Sequence, residues 1–484
     1  MIQTNSDHLG KKILASVGWV SLATYVGAVM SFGGNIMLAR LLLPEDFGTY
    51  TFASSLLLLI FMIAGFGSQE SIVQCRDPKI QHLVSTSYWI TLGLGVVLAT
   101  IGTALGLFVI RAYDIITGAL IIWLSWTKLI SMIGYVYRAI LQRDINYRPL
   151  AIINIITNIL SLILAIIAAF FGWGIWSLLV RESSQMILLL IGLIWVSQYH
   201  LEFIFDKQAA VWIWNFGWKM MSHRIGEEIF ERADKLAIGS FLGTTMLGQY
   251  SIANRLAILG HQFSQGMVEP VAYSTFAAVQ DSPHKLQTAF HRFYYWLFRL
   301  TLFFFLIVWL QGREIVSIFY GEKWQLAGIV FQHMAPLMAL IPLNKGISTM
   351  LIASGRVNAV LRVRVWQLLF FIPTLIITAF FGDLLVIVWV VNLGFLLLWL
   401  LQMRALSSSI SIEWYQLMYS AVAAIVMTFI LAIVTKTILG DHISGLIGVI
   451  VGAATVVGAY TISLLLFERQ RLLTEWSLIQ ARLT

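Results

Sequence analysis

Residues 83–110 read LVSTSYWITLGLGVVLATIGTALGLFVI, twenty-eight positions without a charged side chain. A helix crosses the roughly 30 Å hydrocarbon layer with about 20 residues, so this stretch alone is long enough to span a bilayer. Its apolar residues run continuously rather than alternating with period two, which excludes a barrel strand. Working outward, the same pattern recurs near 13–39, 47–66, 115–137, 150–171, 174–197, 211–242, 248–275, 290–310, 325–352, 358–381, 383–403, 414–435 and 442–467. Only helices and closed barrels satisfy every backbone group in lipid. The sequence therefore predicts an all-α polytopic membrane protein of about 14 transmembrane helices.

Composition agrees. With 59% hydrophobic residues, 11% charged and a mean hydropathy of +0.85 over 484 residues, the chain needs lipid as its solvent. The longest connections, around 198–211, 276–290 and 311–324, reach only about 15 residues. A folded catalytic domain needs about 50 or more, so function must reside among the helices.

The net charge of +8 is spread singly between apolar runs, not gathered in a basic stripe, which argues against a nucleic-acid partner. Cys75 is the sole cysteine, excluding an intramolecular disulfide and any multi-cysteine metal site. The nine histidines form no ligand-like cluster. No cofactor, metal site or catalytic constellation is expected. Lys11 and Lys12 precede the first apolar run, which carries no convincing cleavage site and is read as a retained span.

With the amino terminus placed in the cytoplasm, seventeen Lys and Arg residues fall outside the spans on the cytoplasmic side, against five on the other (Arg40, Arg111, Arg313, Lys323 and Lys436). This bias places both termini in the cytoplasm.

The chain repeats itself at an offset of about 200. Gly18-Trp19 recurs as Gly217-Trp218, and Gly48-Thr49-Tyr50 as Gly248-Gln249-Tyr250, with Ala53 and Leu56 matching Ala253 and Leu256. An even number of spans per repeat returns the second repeat to the same orientation. The expected organisation is a six-helix lobe over 1–205, a second over 206–405, and an additional helix pair with a cytoplasmic tail over 406–484.

Nine basic residues fall within the spans or near their ends: Lys128, Arg181, Lys219, Arg224, Arg232, Lys235, Arg255, Arg299 and Lys345. A charge at mid-span costs about 2.5–3.5 kcal/mol, so each needs a compensating environment. Lys128, Lys219 and Arg299 are expected to snorkel toward an interface. Arg181 and Glu182 are adjacent, so they point apart and each needs its own partner.

The seventh span is denser, with Lys219, His223, Arg224, Glu227, Glu228, Glu231, Arg232, Asp234 and Lys235. Four-residue spacing pairs Arg224 with Glu228, Glu228 with Arg232, and Glu231 with Lys235. This is either an internal salt-bridge ladder or the wall of a water-filled cavity whose carboxylates bind a coupling proton or sodium ion. In the eighth span Arg255, Gln262 and Glu269 recur every seven residues beside Asn254 and Gln265. That stripe is either interhelical glue or a cargo path, and arginine's planar fork suits a phosphate. In the tenth span Pro336, Pro342, Asn344, Lys345 and Gly346 predict a broken or kinked helix.

Four segments carry a family resemblance: LARLLLPEDFGTY at 38–50, RADKLAIG at 232–239 followed by LGQY at 247–250, GEKW at 321–324, and LIASGR at 351–356. In order and separation they resemble the bacterial polysaccharide transporters, the oligosaccharide flippases, over at least residues 10–400. The resemblance implies a two-lobed inner-membrane transporter that moves undecaprenyl-pyrophosphate-linked oligosaccharide by alternating access. It implies a fold similar to the lipid II flippases and multidrug extruders, and a polysaccharide polymerase and export proteins as partners.

On that reading Arg255, Lys345 and Arg224 take the pyrophosphate, and Asn254, Gln262 and Gln265 take sugar hydroxyls. Asp234, Glu269, Glu228 and Glu231 are then the acids for ion coupling. Asp234 and Arg255 sit where the family places a seventh-span aspartate and an eighth-span basic residue. Ser274 and Thr275 depart from the proline expected after the eighth span. An ion-coupled drug exporter or a lipid II flippase of the same fold are the nearest alternatives. A membrane glycan polymerase or glycosyltransferase would need an exposed acceptor site on a long loop, for which the connections leave no room.

Overall fold

The computed structural model describes residues 2–64, 68–74, 80–199, 202–266, 276, 279, 282–407, 426, 429–430 and 445–483. Among these every regular element is a helix, and the chain divides into two compact units, Met1–Gly248 and Gln249–Thr484.

The first unit holds α1 (Ile2–Leu41), α2 (Pro44–Phe61), the short α3 (Ser68–Gln74), α4 (Ile80–Ala112), α5 (Ile115–Arg143), α6 (Tyr147–Phe170), α7 (Trp176–Ser197), α8 (Lys207–Phe241) and the first turn of α9 (Thr244–Gly266). The second holds the rest of α9, then α10 (Pro283–Tyr320), a 3₁₀ turn (Glu322–Trp324), α11 (Gln325–His333), α12 (Ala335–Ala353), α13 (Val357–Phe380), α14 (Leu384–Ser407) and α15 (Gly445–Leu483). Ten helices among the described residues are long and apolar enough to cross a membrane: α1, α4 to α7, α10 and α12 to α15. The chain is a multi-pass membrane protein. Helices α2, α8 and α9 fall outside that set; Glu45 and Asp46 open α2, and the charge run lies in α8. The expected span at 414–435 lies almost wholly outside the described residues.

In the first unit α5 is central, packing against α2, α3, α4 and α7, while α8 lies against α2, α3 and α4. Leu57, Leu98, Leu120, Ile121, Leu124, Met132 and Leu179 make the joint core. In lipid, tight packing rather than water exclusion joins helices, and small residues at crossings permit it. At the junction of α2 and α9, a Cβ on Gly48 would overlap the Thr244 carbonyl oxygen, and one on Gly248 would overlap that of Pro44.

In the second unit α10 packs on α11, α12 and α15, α12 packs on α14, and α14 on α13. Its core is aromatic: Phe276, Phe290, Tyr294, Tyr295 and Trp399, with Ile347 and Met350. The Trp399 indole donates to the Tyr294 hydroxyl at 2.6 Å, so the buried polar tips satisfy each other.

Two pairs of helix ends match at an offset of 210 residues. Residues 169–172 and 379–382 both read AFFG, and Gly172 and Gly382 end α6 and α13 with φ of 79° and 76°. Ile145 and Gly355, also 210 residues apart, follow α5 and α12 with φ of 52° and 77°. Both are closed by a bond from the next amide to a carbonyl five back, Asn146 to Leu141 at 2.9 Å and Arg356 to Leu351 at 2.8 Å.

The tenth span does break, but at Met334, between α11 and α12 and just before Pro336. Helix α12 runs on through Pro342, and there the Asn344 amide donates to the Leu340 and Phe395 carbonyls at 2.7 and 3.1 Å.

Candidate functional site

Within the first unit, four helices bring polar side chains to one place. The Lys128 ammonium of α5 meets the Glu182 carboxylate of α7 at 2.7 Å, and the Tyr50 hydroxyl of α2 donates to its other oxygen at 3.0 Å. Arg181 points the other way and donates to Asn35 Oδ1 of α1 at 2.8 Å and Ser31 Oγ at 3.3 Å. Adjacent residues on a helix diverge, and each member of this pair has found its own partners. Lys128 is thus held in an ion pair and does not snorkel. Asn35, Tyr50 and Glu182 each lie six residues from the end of α1 or the start of α2 and α7. That places the cluster about 9 Å inside those helix ends.

Helix α8 carries the expected ladder in part. Arg232 approaches Glu228 at 3.4 Å, as its spacing predicts. Lys235 donates to the Glu231 carbonyl oxygen at 2.6 Å and lies 3.5 Å from the buried Asp234 carboxylate. Asp234 also accepts from the Lys235 amide at 2.7 Å. Glu231 is exposed and Glu228 half-buried. The side chains of Arg224 and Glu227 lie outside the described residues.

In the second unit Asn254 and Arg255 are half-buried on α9, and Arg255 lies within electrostatic reach of the Tyr320 hydroxyl. Lys345 is exposed on α12. The side chains of Gln262 and Gln265 and all of Glu269 lie outside the described residues. Arg299 is 3% exposed, donates to the Tyr295 carbonyl at 2.9 Å and lies 3.2 Å from the centre of that tyrosine's ring. It is buried, which corrects the expectation of snorkelling; a nearby ring face and carbonyl compensate its charge.

The four recognisable sequence segments all have local structural causes. Pro44 opens α2, and the Asp46 carboxylate accepts from the Leu43 amide at 2.9 Å. Gly239 of RADKLAIG packs against the Phe52 ring. Gln249 of LGQY donates to the Lys323 carbonyl of GEKW at 2.8 Å and accepts from the Ala327 amide at 2.9 Å, so two of the segments meet. Gly355 of LIASGR is the left-handed cap of α12.

A family model for polysaccharide biosynthesis proteins matches residues 37–328, more than half of the chain. The chain belongs to that family. The succinoglycan biosynthesis transport protein ExoT of Rhizobium meliloti is 27% identical over 70% of this chain and 67% of its own length. The lipopolysaccharide biosynthesis protein WzxC of Escherichia coli is 23% identical over 80% of this chain and 79% of its own. Among solved structures, lipid II flippase MurJ in an inward closed conformation superposes with a TM-score of 0.77 at 12% identity, over 93% of this chain and 99% of its own. That likeness establishes the fold. The segments that make this member of the polysaccharide biosynthesis family recognisable thus fix helix ends and crossings, while the network around Glu182 lies between them and was not assembled by sequence reasoning. The available signal was the need of Arg181 and Glu182 for separate partners.

Proposed function

We propose that this member of the polysaccharide biosynthesis family is a flippase that moves undecaprenyl-pyrophosphate-linked oligosaccharide repeat units across the inner membrane, for O-antigen, capsule or exopolysaccharide assembly. The observation that carries the reading is that each unit holds cationic side chains at least partly buried among its own helices, Arg181 and Lys128 in the first and Arg255 in the second. Such charges are costly in lipid and suit an anionic, hydroxyl-rich head group that must not meet hydrocarbon. The prenyl tail stays in lipid throughout.

Alternating access would be performed by lobes of residues 1–205 and 206–405, with 406–484 as an added pair and tail and both termini cytoplasmic. Arg255, with Lys345 and Arg224, replaces water around the pyrophosphate; Asn254, Gln262 and Gln265 take sugar hydroxyls. Asp234, Glu269, Glu228 and Glu231 are the candidates for proton or sodium coupling. Moving about two negative charges outward across a membrane negative inside releases about 4.6 kcal/mol per 100 mV. The chemistry is transport rather than catalysis, and a polysaccharide polymerase and export proteins would use the product.

The test is complementation of a deletion strain with Arg255→Ala. Loss of surface glycan at normal protein level supports the cargo role, and retained glycan removes Arg255 from it. Altered drug susceptibility with intact glycan favours a drug exporter of the same fold.

A further inference from the structure

The Lys128–Glu182 pair does more than its surroundings require for packing. Helices α5 and α7 are already joined one residue along, where the Trp123 indole donates to Ser183 Oγ at 2.8 Å and Thr127 Oγ1 lies 3.2 Å from the same oxygen. An ion pair in an apolar interior adds little to such a junction, because desolvating two charges consumes most of their attraction. The pair is also incompletely covered, with Lys128 21% and Glu182 20% exposed. Protein therefore does not fully seal either charged group.

The donors around the Glu182 carboxylate are those a phosphoryl group would use. An ammonium reaches one oxygen and a phenol hydroxyl the other, while the Arg181 guanidinium adds its field to the same carboxylate. An ammonium and a hydroxyl are sufficient donors for an anion, and a nearby guanidinium strengthens the field. We infer that Tyr50 and Lys128 form a phosphoryl-binding subsite in the first unit, with Arg181, turned toward Asn35 and Ser31, adding only its field, and that Glu182 is an internal anion occupying it until the phosphoryl group of the cargo displaces it. This deepens the flippase reading and rests on it. The carboxylate keeps the cations compensated while the site is without cargo, and its displacement makes binding an exchange of one anion for another. It also weakens binding enough to allow release.

The experiment is calorimetric titration of the purified full-length protein in detergent with inorganic pyrophosphate, and separately with phosphatidylglycerol. Glu182→Gln removes the internal competitor and is expected to bind pyrophosphate about tenfold tighter than the parent, a change of the size expected from a lost charge competitor. The double variant Lys128→Met with Glu182→Gln, neutral at both positions, is expected to fold and to lose that gain. Equal pyrophosphate affinity in Glu182→Gln and the parent overturns the inference. So does a gain seen with phosphatidylglycerol alone, which assigns the cradle to a membrane lipid. Neither result touches the flippase reading, which surface glycan decides.

Discussion

Gly48 and Gly248, 200 residues apart, stand back to back: each lies where a side chain would strike the backbone of the other's helix. Gly48→Ala and Gly248→Ala should each destabilise the protein by about 1–3 kcal/mol through backbone overlap. Gly18→Ala, where a Cβ meets open space, should leave stability unchanged or slightly raised. Thermal unfolding of the purified variants followed by fluorescence would separate the two classes; equal midpoints in all three would contradict the close crossing.

Arg299 should be needed as an arginine. Its guanidinium lies on Tyr295, and the Tyr460 hydroxyl of α15 donates to its carbonyl at 2.8 Å. Arg299→Leu is expected to lose about 2 kcal/mol of stability through the ring contact, and Tyr460→Phe about 1 kcal/mol through one hydrogen bond. Unfolding midpoints measured in detergent check both. A Tyr460→Phe variant as stable as the parent would remove this bond from what holds α15 on α10.

Asp114, between α4 and α5, caps α5 by accepting from the Thr117 amide at 2.8 Å and its hydroxyl at 3.1 Å. Burial opposes its ionisation, but those bonds and the Ile116 and Ile115 amides outweigh it and hold the carboxyl below the usual carboxylate range. A depressed folded value stabilises above the unfolded value, about 3.9, and the contribution is lost as pH falls through the folded one. Asp114→Ala should therefore cost about 1 kcal/mol at neutral pH. The difference from the parent should shrink once pH drops below about 4; a gap that stays constant in acid would contradict the assignment.

Ile145 holds a left-handed backbone at φ 52°, which its β-branched side chain disfavours. The corresponding cap 210 residues on is Gly355. Ile145→Gly should raise stability by about 1 kcal/mol, read as a higher unfolding midpoint; a lower midpoint would show that the side chain's packing outweighs the strain.

The spans were legible because lipid imposes one length and one composition on them. Residues 83–110 became the heart of α4 with little change, and the repeat at Gly48 and Gly248 was visible in letters alone. Its cause was not, since a close crossing is a relation between helices that a single sequence does not contain. The second repeat signal, AFFG at 169–172 and 379–382, sits at an offset of 210 and so escapes a search for a constant 200. Four-residue spacing found Glu228 with Arg232, a local pair. It could not find Glu182 with Lys128, which are 54 residues apart and meet only through helix packing. The stripe through Gln262, Gln265 and Glu269 extends past the described residues.

The measurement to make is mass spectrometry of lipid extracts from the host before and after deletion of the gene. The flippase reading predicts that undecaprenyl-linked oligosaccharide accumulates in the deletion strain while a surface polysaccharide disappears, and the accumulated mass names the repeat unit. An unchanged pool of the lipid-linked oligosaccharide in a strain without a second flippase would contradict it.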